Sequence, residues 1–180
     1  MSKILRSLAA MMLVLLAVAG CKHEKTASNE PESFAFITYP GSRYLPENTK
    51  LTMQAHAIVA PGTEAPPTAI YDTDAPLDKV AEFYAKSYGY SGVAPDASNN
   101  LSSAKPPAYY RSGDIGVDLK GIEPILQKMN LHPDESKAAG KYKAAEIAGK
   151  PNRPHVTLQR PYFDIVTSQV VDRTIILMAK

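Results

Sequence analysis

The sequence predicts an α+β fold: a mainly antiparallel sheet of about five strands, with one principal helix and one or two lesser helices packed on one face. Two observations carry this. Several short segments alternate apolar and polar residues, the period of a half-buried strand. One segment, Leu77, Val80, Ala81, Tyr84 and Tyr88, follows helical spacing and forms a single apolar stripe. Proline and glycine punctuate the stretches between, as short reversing connections require.

The elements are expected as follows. Tyr39-Pro40-Gly41-Ser42 is a turn, with proline presetting φ and glycine accepting a positive one. Leu51, Met53, Ala55, Ala57 and Val59 alternate with Thr52, Gln54 and His56, which predicts a strand ended by Pro61 and Gly62. Ala69 to Thr73 is a second strand. The principal helix lies within Asp72 to Gly89, capped at Asp74 or Ala75, with Pro76 in its first turn and Gly89 just past its end. Gly92 to Pro107 is rich in Pro, Ser, Asn and Ala and is a loop. Tyr109-Tyr110 starts a strand, and Ile115, Val117 and Leu119 alternate as another. Glu123 to Leu131 is a short helix. Pro133 to Ala148 is a second one, acidic early and basic late as the helix dipole prefers. His155 to Arg160 and Val170 to Met178 are strands that pair, the second apolar enough to be central.

Charge narrows the function. The chain has 180 residues with 20 Lys+Arg and 18 Asp+Glu. The two excess positive charges, Lys3 and Arg6, lie in the first 20 residues, so the rest is neutral. A nucleic-acid partner calls for a basic domain and is not expected. A single cysteine excludes an intramolecular disulfide framework and a Cys-rich zinc module.

The N-terminus is the most informative segment. Lys3 and Arg6 precede an apolar run of 12 residues, Leu8 to Ala19, too short for a comfortable membrane span but suited to a secretory signal. Val18-Ala19-Gly20-Cys21 follows in register. This segment resembles the signal and lipobox of bacterial lipoproteins, an aliphatic residue, two small residues and cysteine. The resemblance implies cleavage between Gly20 and Cys21, diacylglycerol on the Cys21 sulfur and an acyl chain on the new amino group, with no other cofactor. Several acyl chains on one residue give stable anchoring. In the family's sorting rule aspartate after the cysteine favours the inner membrane. Lys22 stands there instead, so the outer membrane facing the periplasm is expected, with the cell surface as the other setting.

The organisation that follows is a signal peptide over 1–20, a lipidated cysteine and polar tether over 21–33, and one α+β domain over 34–180. Tyr39-Pro40-Gly41, Thr73-Asp74 leading to Val80 and Phe83-Tyr84, Pro161-Tyr162, and Asp172-Arg173-Thr174 together resemble small bacterial envelope proteins. That resemblance implies a compact secreted domain and brings no activity.

A search for chemistry yields three sets of residues. His132, Asp134 and Ser136 are the residue types of a hydrolase, but no glycine-flanked nucleophile elbow surrounds them, and capping is the ordinary reading. His56, His155 and Asp118 could join as metal ligands only if their elements met, and no metal site is expected. Lys137, Lys141, Lys143, Lys150, Arg153 and Arg160 share the interval with one acid, Glu146, and are candidates for contact with an anionic lipid, lipopolysaccharide or an acidic envelope protein. No catalytic residue is assigned. The expected function is therefore a non-enzymatic anchored lipoprotein that binds another envelope component. The alternatives are an envelope hydrolase, and a carrier holding a small apolar ligand among Leu77, Val80, Tyr84 and Ile175.

Overall fold

The structure, a computed structural model, describes residues 36–95, 105–165 and 167–180. The chain enters through the expected turn, where the Ser42 amide donates to the Tyr39 carbonyl and Gly41 has φ +75°. A two-residue strand β1 (Arg43–Tyr44) then leads into helix α1 (Pro46–Val59). Strand β2 (Thr68–Thr73), helix α2 (Leu77–Ser87), strand β3 (Ala108–Asp114) and helix α3 (Ile115–Lys128) follow. A 3-10 turn at Glu135–Lys137 precedes strands β4 (Lys141–Ile147) and β5 (His155–Arg160). The chain closes with a small hairpin of β6 (Tyr162–Asp164) and β7 (Gln169–Val171), then β8 (Thr174–Ala179). Six strands form an antiparallel sheet in the order β1-β2-β8-β5-β4-β3, and β6 and β7 pair as a second, two-stranded sheet.

The α+β class, the antiparallel sheet, β2, β5 and the central place of the last strand follow the expectation. The helices do not share one face. Ala69, Tyr71, Ala145, Ile147, Val156, Leu158, Ile176 and Met178 point to one side and pack under Val80, Ala81 and Tyr84 of α2. Tyr142 and Ala144 point to the other, under Ile115, Leu119, Ile122 and Leu126 of α3. Ile70, Ile175 and Leu177 share that second side with Leu45, at the entrance to α1, and with Tyr162 of β6.

Several local expectations are corrected. Residues 51–59 are helix, not strand. The buried residues of α1 are Asn48, Thr49 and Ala55, with Leu51 half-buried against the α3 cluster, while Met53 is 40% exposed. Polar residues occupy the buried stripe, so the apolar alternation seen in sequence was incidental. Thr49 fastens α1 to the sheet: its hydroxyl accepts from the Ile70 amide at 3.0 Å and donates to the Leu45 carbonyl at 3.0 Å.

Residues 115–119 are also helix, and the short helix expected from Glu123 is the later part of the same α3. Ile115, Leu119, Ile122 and Leu126 make its buried stripe, and Val117 is 66% exposed. Asp114 starts it, its carboxylate accepting from the Gly116 and Val117 amides at 3.0 and 3.2 Å. Pro124 sits inside the helix on its exposed side, where water can serve the carbonyl that proline leaves unpaired. Finally, Pro133 to Ala148 is no helix. Tyr142 and Ala144 are buried between exposed Lys141 and Lys143, and Gly140 before them has φ +131°. Long-range pairing with β3 and β5 outweighs the helical charge pattern.

Val170 to Met178 is likewise two strands, parted at Asp172-Arg173. Its second part, β8, pairs directly with β5 as expected, but through the β6–β7 excursion. The principal helix begins after Pro76, which occupies the cap position itself. It ends as expected at Gly89 (φ +72°), with the Tyr90 amide donating to the Ala85 carbonyl and the Gly89 amide to that of Lys86.

Candidate functional site

A connected array of ionisable side chains lies on the sheet face that α3 covers. Residues opposite one another in antiparallel strands share a face, and Tyr109 opposes Glu146 while Glu146 opposes Thr157. Arg111, two residues from Tyr109, therefore reaches Glu146 diagonally. Its Nε donates to Glu146 Oε1 at 2.8 Å. Thr157 Oγ1 donates to Glu146 Oε2 at 2.8 Å, and His155 Nε2 lies 2.8 Å from the same oxygen. The other arm of Arg111 donates to the Tyr142 hydroxyl at 2.7 Å, and that hydroxyl donates to Asp118 in the first turn of α3. The result is one connected chain: Asp118, Tyr142, Arg111, Glu146, then His155 and Thr157.

Electrostatics fixes the charge states. Burial alone would push the Glu146 carboxyl up. The hydrogen bond from His155, the Arg111 guanidinium and the Thr157 hydroxyl outweigh it and hold the group below its ordinary value of 4.5. Burial pulls Arg111 down, but Glu146 and Tyr142 more than restore it. Tyr142 is pushed up to about 12 by burial and by its bond to Asp118, so it stays a neutral donor. Every terminus of this chain points at a partner within it. Its chemistry is that of a buried brace between β3, β4, β5 and α3, with His155, 47% exposed at its side chain, as the outer end.

Gly113 makes room for this. It opposes Tyr142 across the β3–β4 ladder, and a β-carbon there would lie 2.3 Å from the tyrosine ring. No spacing rule could have found the network, because its members lie up to 35 residues apart for one bond and are joined only by strand register.

The six basic candidates are not gathered into one patch. Lys143 reaches Asp78 at 2.7 Å, Arg160 reaches Asp172 at 2.8 Å, and Lys137 reaches Asp134 at 3.3 Å. Lys141 is exposed at the start of β4. Lys150 and Arg153 sit at the opposite end of β4 and β5, in the hairpin tip. There Lys150 donates to the Tyr88 carbonyl at the end of α2 and lies 4.7 Å from the Tyr90 ring centre. Arg153 lies 5.7 Å from the Tyr88 ring centre. The lysine thus serves the electron-rich C-terminus of α2. Beside it is an open hollow of about 550 Å³ bordered by Tyr90, Ser91, Val93, Ala94, Pro106 and Pro107.

The remaining sets are placed as follows. Asp134 accepts from the Ser136 hydroxyl at 2.6 Å and the Ser136 amide at 3.2 Å, which makes it the cap of the 3-10 turn; His132 is exposed. His56, on α1, is 3.2 Å from the Thr63 hydroxyl, whereas His155 is held by Glu146 and Asp118 by Tyr142. Among the described residues no three His, Cys, Asp or Glu side chains converge as metal donors. Leu77, Val80 and Tyr84 pack within the α2 side of the sheet, whereas Ile175 faces the other side, so the four do not line one space. Gly20 and Cys21 lie outside the described residues, as do the signal and tether. Among the described residues no helix is long and apolar enough to cross a membrane.

Compared with protein-family models, with curated proteins and with solved structures, the chain matches none of them.

Proposed function

We propose that the chain is a bacterial lipoprotein, acylated on Cys21 and cleaved after Gly20, whose α+β domain binds another component of the cell envelope without catalysing a reaction. One observation carries this reading. Val18-Ala19-Gly20-Cys21 closes a basic start and a 12-residue apolar run in the register that a lipidation signal requires. The solitary cysteine supports it, since an exported protein with one thiol has no intramolecular use for it as a disulfide. The self-satisfied network around Glu146 is consistent with a domain whose polar interior is structural. Lys22 after the cysteine favours the outer membrane, facing the periplasm.

The test is metabolic labelling with palmitate, comparing the parent with Cys21→Ser. The parent takes up label, fractionates with membranes and loses residues 1–20. Cys21→Ser takes up none and is released without detergent. An unlabelled parent that washes free, or one retaining Met1, refutes the reading.

A further inference from the structure

We infer that the end of the domain carrying the β4–β5 hairpin tip, where Lys86, Lys105, Lys150 and Arg153 meet Tyr88, Tyr90 and Tyr109, rests on the anionic headgroup surface of the bilayer. The inference deepens the anchored reading above and rests on it.

The domain over 34–180 is close to neutral in sum, with 16 basic and 15 acidic side chains, but not in arrangement. At the end where β2 gives way to α2, cations and acids are matched apart from exposed Lys141: Arg43 and Arg173 both meet the buried Asp72, Arg173 also meets Asp74, and Arg160 meets Asp172. At the hairpin end they are not. Lys86 in the last turn of α2, Lys105 before β3, and Lys150 and Arg153 in the tip reach no carboxylate among the described residues. Glu146 points inward and is taken by Arg111 and His155. In the described connections at this end (60–67, 88–95, 105–107 and 148–154) the one acid is Glu64.

Three of these four cations lie against aromatic rings. Lys150 sits over Tyr90, Arg153 over Tyr88, and Lys105 lies 5.2 Å from the Tyr109 ring centre. Tyr90 and Tyr109 are half-buried, and Pro95, Pro107 and Pro151 are exposed around them. Tyrosine beside lysine and arginine is the chemistry that settles at a membrane–water interface. Phe36, the first described residue, is fifteen positions beyond Cys21. Fifteen residues supply chain of up to about 3.3 Å each, enough for a domain of this size to lie on the surface to which it is fastened. Charge then decides which end faces down.

The acylated protein offers a direct test, because lipidation consumes its one natural thiol. Asn152→Cys in the hairpin tip and Ala139→Cys, exposed at the opposite end of β4, each carry a fluorophore. The labelled protein is reconstituted in vesicles of phosphatidylethanolamine with phosphatidylglycerol, or of phosphatidylcholine alone, and read with a headgroup-bound quencher. Position 152 is expected to be quenched more than 139 on anionic vesicles, with the difference vanishing on neutral ones and in high salt. Removing charge should weaken the surface-facing pose about fivefold per residue, so K86Q/K105Q loses it while K79Q/K120Q, with the same net charge change elsewhere, keeps it. Equal quenching at both positions, or equal loss in both double variants, overturns the inference. So does an orientation that appears only on adding an acidic envelope protein. Protein that never stays with the vesicles refutes the anchoring itself, and this orientation with it.

Discussion

Replacing Glu146 with glutamine keeps the volume of the side chain and removes its charge. The Arg111 guanidinium, 18% exposed at its side chain, then faces a neutral amide, and the amide's own N–H groups compete with donors from Arg111, His155 and Thr157. Breaking a buried ion pair from one side costs about 3–5 kcal/mol. The lower bound applies, because Arg111 keeps some water and its bond to Tyr142, so about 3 kcal/mol is expected. A domain with ordinary stability stays folded after that loss. The assay is urea unfolding near neutral pH, repeated into the acid range. In the parent, the folded state holds the Glu146 carboxyl below the 4.5 of the unfolded chain. Its contribution is therefore complete above that value and is lost as pH falls through it toward the depressed folded value. Glu146→Gln should remove this part of the acid slope as well as the baseline stability. Arg111→Met should also cost about 3 kcal/mol, and the double variant clearly less than the two together, since neither charge is then left alone. A Glu146→Gln protein within about 0.5 kcal/mol of the parent, with an unchanged acid slope, would refute the brace.

Three further outcomes follow from the packing. Gly113→Ala drives a methyl into the Tyr142 ring, which Arg111 and Asp118 hold in place, and should cost about 1–3 kcal/mol in thermal or urea unfolding; an unaffected midpoint would mean that the ring moves freely. Asp114→Ala removes the cap of α3 and should cost about 1 kcal/mol, seen also as faster amide exchange at Gly116 and Val117. Asn48→Leu runs the other way. Both polar atoms of the Asn48 amide are buried without a partner among the described residues, so an apolar side chain there should be neutral or stabilising by up to about 2 kcal/mol. A clear loss of stability would show that the amide is in fact bonded.

The parts of the fold legible in the sequence are those where one physical signal acts alone. In α2 the stripe from Leu77 to Tyr88, the glycine at 89 and the single covered face all point the same way. In α1 they conflict. Its buried side carries Asn48 and Thr49, and its apolar residues alternate by chance, so a hydrophobicity pattern selects the wrong period. In α3 a strand-like run of five residues is the first turn of a helix, and the decisive residue is the one before it, Asp114. The capping geometry of Asp114 is a local fact, but aspartate is equally at home in turns, and only the covering of Ile115 and Leu119 against β4 decides between them. For β4 the acidic start and basic finish imitate a helix, while the pairing that makes it a strand comes from partners outside the segment on both sides.

The same distinction separates the two kinds of functional residue. A signal read by processing enzymes must be written in consecutive residues, because the unfolded chain presents it, and Val18 to Cys21, proposed above as such a signal, is the most specific motif in the sequence. Surface charge on a folded domain obeys no such rule. Six basic residues between 137 and 160 look like a patch because they are close in the chain, yet a β-hairpin sends Lys143 and Arg160 to one end of the sheet and Lys150 and Arg153 to the other. What decides whether such a charge can attract a partner is whether a carboxylate has already taken it. Asp78, 65 residues before Lys143, and Asp172, 12 beyond Arg160, both lie outside that interval and neutralise the first pair, while Lys86 and Lys105, which no sequence window joins to the hairpin, reinforce the second. A neutral composition can therefore hide a domain with a matched end and a basic one, and that asymmetry, not net charge, is the quantity a membrane surface would feel.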